Sequence, residues 1–113
     1  MLDKRKHPRF SVDLPVEYYK MGSLVKHNGR AMNASQDGLL LHFSEPLKIG
    51  QYLRLKFFLS FGLRSRFIET IAQVAWINTQ LDGDEKNYRS GVRFINISPE
   101  DVTKLKTFLE SRS

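Results

Sequence analysis

The feature that most constrains this chain is a series of short segments in which apolar and polar residues alternate, each ended by a turn signal. Six such segments follow one another before a single segment with helical periodicity closes the chain. Strands this short bury their apolar faces by pairing around one shared core and covering or closing their edges. The sequence therefore predicts a mainly β fold, a small six-stranded antiparallel β-barrel of the split-barrel type with a C-terminal α-helix.

The strands are predicted from alternation and from the turns between them. They cover residues 10–19, 24–34, 39–43, 51–60, 66–79 and 88–95. Pro15 indicates an edge or a bulge in the first strand, because proline donates no backbone hydrogen bond. The segment 66–79 changes register along its length, which predicts a long, bent or bulged strand. Residues 81–87 are predicted to form a polar hairpin loop.

The helix is predicted from its first residues. Ser98 supplies an N-cap, Pro99 suits the first helical position, and Asp101 places an acid at the third. Apolar residues then recur at spacings of three and four, at Val102, Leu105, Phe108 and Leu109. We expect one domain made of a flexible basic arm over 1–10, a barrel over 10–97 and the helix over 98–113.

Composition narrows the classes of protein. The chain of 113 residues is 41% hydrophobic, enough for a single core without cross-links. It has no cysteine, which excludes disulfides, zinc–cysteine sites and thiol catalysis. Its first ten residues are charged where a signal peptide would be apolar, so we expect a cytoplasmic protein that does not insert into membranes.

The chain carries 18 basic and 12 acidic residues, a net charge of +6, and half of that excess lies in residues 1–10. This concentration favours a phosphate-bearing partner. The three histidines lack the spacing of a metal site, and the acidic residues lie on different segments with no pairing between them. We therefore expect no metal, no cofactor, no catalytic residue and no enzyme activity.

Two short motifs carry the functional hypothesis. In the first, Arg5 and Arg9 stand four residues apart, and Pro8 disfavours a helix between them. Arginine can clamp phosphate bidentately, contact the O6/N7 edge of guanine and stack on its face, whereas lysine supplies mainly the charge. A solvated basic tail is the alternative interpretation of this motif.

The second motif is Asn33-Ala34-Ser35-Gln36-Asp37-Gly38. Asn33 and Ser35, two apart on extended backbone, face the same side and offer acceptor oxygens to a base edge. Gly38 permits close approach of a ligand or of another backbone segment. A turn rich in residues that bond locally is the alternative interpretation.

Together, the Arg-x-x-x-Arg arm and Asn-x-Ser-x-x-Gly between two predicted strands resemble the PilZ domain, the bacterial receptor module for cyclic di-GMP. The likeness continues through residues 72–76, residues 88–94 and the terminal helix, and so covers nearly the whole chain. The resemblance implies a barrel that binds cyclic di-GMP on its outer surface. One departure is Asn33, where the family often has aspartate, which accepts hydrogen bonds more strongly.

The resemblance also implies the site residues. Arg5 and Arg9 match the arm arginines, and Asn33, Ser35 and Gly38 match the strand motif. Further candidates around them are Lys4, Lys6, Asp37, Trp76, Gly91 and Arg93. Lys4 would neutralise phosphate if two ligand molecules stacked, and Trp76 would offer a stacking surface, although a strand tryptophan usually belongs to the core.

Binding is expected to fold the arm across the barrel and to signal to a downstream protein, with the chain a monomer or weak dimer and without DNA or RNA as partner. Two other functions stay open. One is a PilZ-like scaffold that acts through protein contacts, although such members tend to lack the arm arginines. The other is a basic small-barrel nucleic-acid binder, for which Arg54 and Lys56 beside Phe57 and Phe58 form the only candidate patch.

Overall fold

The computed structural model describes residues 8–83 and 85–111, so most of the predicted arm, including Lys4, Arg5 and Lys6, lies outside the described residues. The described chain forms six strands and one helix. They are β1 (Phe10–Lys20), β2 (His27–Ala34), β3 (Gly38–Phe43), β4 (Tyr52–Phe61), β5 (Arg64–Asp82), β6 (Glu85–Phe94) and α1 (Pro99–Glu110).

The strands form a closed antiparallel barrel in the order β1-β2-β3-β6-β5-β4. Short turns join most neighbouring strands, and the pairing of β3 with β6 and of β1 with β4 closes the ring. Alternate residues of each strand point inward and fill the interior with apolar side chains; among the most buried are Val16, Leu41, Leu53, Leu55, Phe57 and Ile68. The predicted mainly β fold with a terminal helix is confirmed.

Strand ends differ from the prediction where side-chain pattern and backbone pairing disagree. Strand β2 begins at His27 rather than at residue 24, because Leu24 and Val25 are exposed in the preceding loop. Strands β5 and β6 pair as far as Asp82 and Glu85, so the predicted polar loop over 81–87 shortens to a turn at Gly83, which has φ 66°. Backbone pairing in an exposed two-stranded ribbon does not require apolar side chains. The loop between β5 and β6, predicted from side-chain polarity alone, was therefore too long.

The helix begins as predicted. The Ser98 hydroxyl accepts a hydrogen bond from the Asp101 N–H at 3.1 Å, and Pro99 stands at the first helical position. Phe108, buried with Leu105 and Leu109, meets the ring of Phe61 edge to face, with ring centroids 5.6 Å apart. The helix thus packs its apolar stripe on the barrel.

Three pairs of strands contain a bulge, and the one between β1 and β2 lies between Ser11 and Leu14. The other two are single extra residues in β2 and β5. In β2, Ala31 and Asn33 pair with the consecutive residues Leu41 and Leu40 of β3, which leaves Met32 as the bulge residue. In β5, Val74 and Trp76 pair with the consecutive residues Val92 and Gly91 of β6, which leaves Ala75 unpaired. The predicted bulge in the long fifth strand is confirmed, and each bulge changes which face of the sheet the following residues occupy.

Candidate functional site

Four residues on four neighbouring strands form one row across the outer wall of the barrel. Asn33 pairs with Leu40, Leu40 with Gly91, and Gly91 with Trp76. The row faces outward, because Leu39 and the other neighbours of Leu40 and Gly91 along β3 and β6 are buried in the core. We refer to Asn33, Leu40, Gly91 and Trp76 as the Asn33–Trp76 row.

The two bulges bring the ends of this row to the surface. Ala31 is fully buried, and regular alternation would turn Asn33 inward as well. The extra residue Met32 reverses the phase, so that Asn33 faces outward and Ala34 inward. The extra residue Ala75 acts in the same way between buried Val74 and Trp76, whose side chain is 41% exposed.

The Asn33 side chain carries an unsatisfied acceptor. Its Oδ1 is covered from solvent, yet it has no hydrogen-bond partner among the residues that the structure describes. A covered polar atom without a partner costs about 1–3 kcal/mol, and an incoming N–H donor would relieve that cost. Asn33 thus places an unused acceptor in the outer wall.

Ser35 and Asp37 shape the turn between β2 and β3. The Asp37 N–H donates to Ser35 Oγ at 3.1 Å, and the Ser35 N–H donates to the Gly38 carbonyl at 3.0 Å. The Asp37 carbonyl accepts from the Phe94 N–H at 2.8 Å, which ties the turn to the end of β6. Ser35 is buried, and one acceptor position of its hydroxyl is used within the turn.

Gly38 allows β3 and β6 to approach each other closely. A Cβ at this position would lie 2.0 Å from the Val92 carbonyl oxygen and 3.0 Å from the Arg93 Cα. The sequence predicts that either a ligand or another backbone segment approaches Gly38 closely, and the structure shows the backbone of β6 there. The glycine thereby holds the Asn33 turn against β6.

Gly91 is covered by the indole of Trp76. A Cβ at Gly91 would lie 2.1 Å from the indole Nε1 and 2.6 Å from Cε2. Since Trp76 keeps 41% of its surface exposed, the ring rests on the β6 backbone and leaves another part of its surface toward solvent. The structure thus places Trp76 on the outer wall and not in the core.

Arg93 lies one step beyond the row, opposite Gly38 on one side and Gln73 on the other. Its Nε and Nη2 both donate to Gln73 Oε1, at 3.2 and 2.6 Å. Because the amide of Gln73 is neutral, it orients the guanidinium without cancelling its charge. Gln73 was not predicted as a site residue, because only the strand register places it beside Arg93.

Arg9 stands at the base of the arm. It precedes Phe10, which pairs with Ala34, so its backbone lies beside the start of the Ser35 turn. A shallow pocket next to it is lined by Pro8, Phe10, Gln36, Lys106, Leu109 and Glu110. Of the candidate binding residues on the arm, Arg9 is the one within the described part of the chain, and it lies at the same end of β2 as the Asn33 motif.

The patch expected for a nucleic-acid binder has a different arrangement. Phe57 is fully buried, and the Lys56 ammonium lies 4.3 Å from the Phe67 ring centroid and 4.0 Å from Glu69 Oε1. Its cation is therefore engaged within the barrel wall. No cluster of three or more metal-ligating side chains occurs in residues 8–83 and 85–111, and no helix of that part is long and apolar enough to cross a membrane.

Solved structures share this fold. The Bacillus subtilis inhibitor of motility (MotI/DgrA) superposes with a TM-score of 0.81 at 23% identity, covering 98% of this chain and 52% of that one. MrkH of K. pneumonia in its apo state gives 0.78 at 18% identity, covering 98% and 51%. The chain thus spans about half the length of these two proteins.

A smaller relative matches over most of both chains. The PilZ domain of YcgR from Escherichia coli, solved with c-di-GMP, gives a TM-score of 0.74 at 20% identity, covering 96% of this chain and 91% of that one. Comparison with curated proteins gives no match. The family model described as the PilZ domain matches residues 3–111, nearly the whole sequence. The chain belongs to the PilZ domain family.

Proposed function

We propose that this chain is a receptor domain that binds cyclic di-GMP along the Asn33–Trp76 row. The observation that carries the proposal is the covered, unpartnered Oδ1 of Asn33 on the outer wall. Guanine presents N1–H and N2–H donors on one edge, and a donor placed at Asn33 would satisfy this acceptor. The YcgR domain of the same fold, solved with c-di-GMP, supports the choice of ligand.

The other residues of the wall match the remaining chemistry of the ligand. The exposed part of the Trp76 indole offers a surface on which a second guanine stacks. Arg9 and Arg93 border the row at the Gly38 end, where guanidinium groups bind phosphate oxygens. All of these contacts bind the ligand, and none of them acts on a bond within it.

The arm is proposed to deliver the signal. Arg5, with Lys4 and Lys6, joins Arg9 on the phosphates, so that the ligand bridges the arm to the Asn33 turn. Ordering about five arm residues costs about 1–2 kcal/mol each, and the phosphate contacts offset that cost. The arm folded across the wall presents a new surface to a downstream protein.

Calorimetric titration of the full chain with cyclic di-GMP and cyclic di-AMP tests the proposal. Arg9→Ala should weaken cyclic di-GMP binding by about 2–4 kcal/mol, because it removes charge-assisted hydrogen bonds. Asn33→Ala should lower the preference for guanine over adenine by about 1–3 kcal/mol. Arg54→Ala is the matched control, since Arg54 lies over the Tyr19 ring on the β1–β4 wall, 4.5 Å from its centroid.

Two outcomes of these titrations would refute the proposal. A parent chain that takes up no cyclic di-GMP would refute the proposal. So would Arg9→Ala and Asn33→Ala variants that bind both nucleotides as the Arg54→Ala control does.

A further inference from the structure

Beside the Asn33–Trp76 row lies a second row that is basic. Arg30 of β2 pairs with His42 of β3, and His42 pairs with Arg89 of β6. His42 and Arg89 each stand two residues beyond their neighbours Leu40 and Gly91 in the first row, and therefore face the same outer side. At about 3.3 Å per residue, the two rows lie roughly 7 Å apart.

The two arginines of this second row differ in their partners. The Arg30 Nε donates to Asp13 Oδ1, so a carboxylate neutralises that guanidinium. None of the salt bridges among the described residues involves Arg89. The Arg89 Nε is also covered from solvent and lacks a hydrogen-bond partner in that part of the chain.

A covered guanidinium nitrogen without an acceptor is costly, because the group remains charged at all relevant pH values. The same wall holds a second covered polar atom without a hydrogen-bond partner, Asn33 Oδ1. The two unsatisfied atoms have opposite character, one an acceptor and the other a donor. A single ligand lying over both rows would satisfy them together if it offered N–H groups at one position and anionic oxygens at the other.

His42 stands between the two arginines. Burial, and secondly the positive charge of Arg89, lower the pKa of its ring below the ordinary 6.5. The charged and titratable groups that face it from the adjacent strands are Arg30 on β2 and Arg89 on β6. Near neutral pH the ring is therefore uncharged, and it offers one N–H donor beside the Arg89 fork.

We propose that His42 and Arg89 form an anion subsite that holds a phosphodiester group of a cyclic dinucleotide. This proposal rests on the proposed function and extends it, since the ligand then spans both rows of the wall. The phosphodiester comes either from the molecule seated on the Asn33–Trp76 row or from a second molecule stacked on it. Arg89 binds two of its oxygens through the guanidinium fork, and His42 donates to one of them.

Calorimetric titration of the full chain with cyclic di-GMP tests the subsite. Arg89→Gln should weaken binding about tenfold through loss of one charge-assisted contact. The matched control is Arg30→Gln, in the same row but already paired with Asp13, which should change affinity by less than about twofold. Arg89→Lys keeps the charge without the guanidinium fork, so its affinity for cyclic di-GMP should lie between those of the parent and Arg89→Gln. Thermal unfolding of each variant verifies that it is folded.

A second readout needs no substitution. The pKa of His42 is measured by NMR in the free chain and in the chain saturated with cyclic di-GMP. A phosphodiester at the subsite stabilises the imidazolium, so the pKa of His42 should rise on binding. Proton uptake by His42 then accompanies binding. The affinity for cyclic di-GMP should therefore increase as the pH falls from the pKa of His42 in the bound chain to its pKa in the free chain.

The outcomes separate the two proposals. If the parent binds and the site variants Arg9→Ala and Asn33→Ala fail, while Arg89→Gln binds like the parent and the pKa of His42 does not move, the subsite is refuted and the receptor function stands. If the parent does not bind, both proposals fall. A loss of affinity at unchanged stoichiometry assigns the phosphodiester to the first ligand molecule, and a drop from two bound molecules to one assigns it to the second.

Discussion

The indole of Trp76 covers Gly91, its partner across the β5–β6 ladder, so closely that a Cβ on Gly91 would lie 2.1 Å from the indole Nε1. The glycine thus sets the position of the ring on the outer wall. Because Trp76 is the single tryptophan of the chain, all tryptophan emission comes from this ring.

The first prediction concerns this pair. Gly91→Ala should push the indole away from the β6 backbone and further into solvent, because the new methyl group would overlap the ring and part of the ring already faces solvent. The tryptophan emission of the free variant should therefore shift to longer wavelength than that of the parent. Identical emission spectra for the two proteins would show that the ring does not rest on Gly91.

The second prediction concerns Gly38. Gly38→Ala should lower the free energy of unfolding by about 3 kcal/mol or more, since the new methyl group meets the backbone at Val92, which cannot move aside as a side chain would. Urea unfolding measures the change. Gly22→Ala is the control, because Gly22 has φ 85° but no atom within 4 Å of a Cβ, so only backbone strain of about 1 kcal/mol is expected. Equal losses in the two variants would contradict the close β3–β6 approach.

The third prediction separates binding from stability within one motif. Asn33→Ala should weaken cyclic di-GMP binding without lowering the free energy of unfolding, because the Asn33 Oδ1 makes no hydrogen bond that folding would lose and its removal relieves the cost of covering it. Ser35→Ala should cost about 1 kcal/mol of stability, since it removes the acceptor for the Asp37 N–H. Urea unfolding and calorimetry on both variants measure the two effects. A large loss of stability in Asn33→Ala would show that its amide supports the fold.

The fourth prediction concerns pH. The pKa of His42 is lowered in the folded chain, so below about pH 6.5 the unfolded chain binds a proton at this ring more readily than the folded chain does. The free energy of unfolding should therefore fall as the pH drops from about 7 to 5. His42→Gln should show a shallower decline in urea unfolding measured across this range. The other titrating groups act equally in both proteins, and parallel curves would contradict the lowered pKa.

Much of the fold follows from the sequence because alternation and caps are local signals. The inward-facing residues of β4 and the helix cap at Ser98 could be predicted from the residues next to them in the chain. The ends of β5 and β6 could not, because Asp82 and Glu85 pair through backbone groups that carry no mark in side-chain polarity. The predicted loop was therefore too long.

The candidate site was only partly predictable for a related reason. Arg9, Asn33, Ser35 and Gly38 belong to motifs that are contiguous in sequence. Neighbours that meet only through strand register are far apart in sequence. The position of Gln73 beside Arg93, and of Arg89 beside His42, could therefore not be predicted. Trp76 was ambiguous because only the bulge at Ala75 decides whether it faces the core or the solvent.

The bulges at Met32 and Ala75 make the wall sensitive to chain length rather than to residue type. Removing one residue from either segment would restore strict alternation and exchange inside for outside in the residues that follow. Asn33 or Trp76 would then enter the interior without any change in its own identity. Among related sequences, a single-residue gap in β2 or β5 is thus a stronger sign of an altered binding surface than many substitutions.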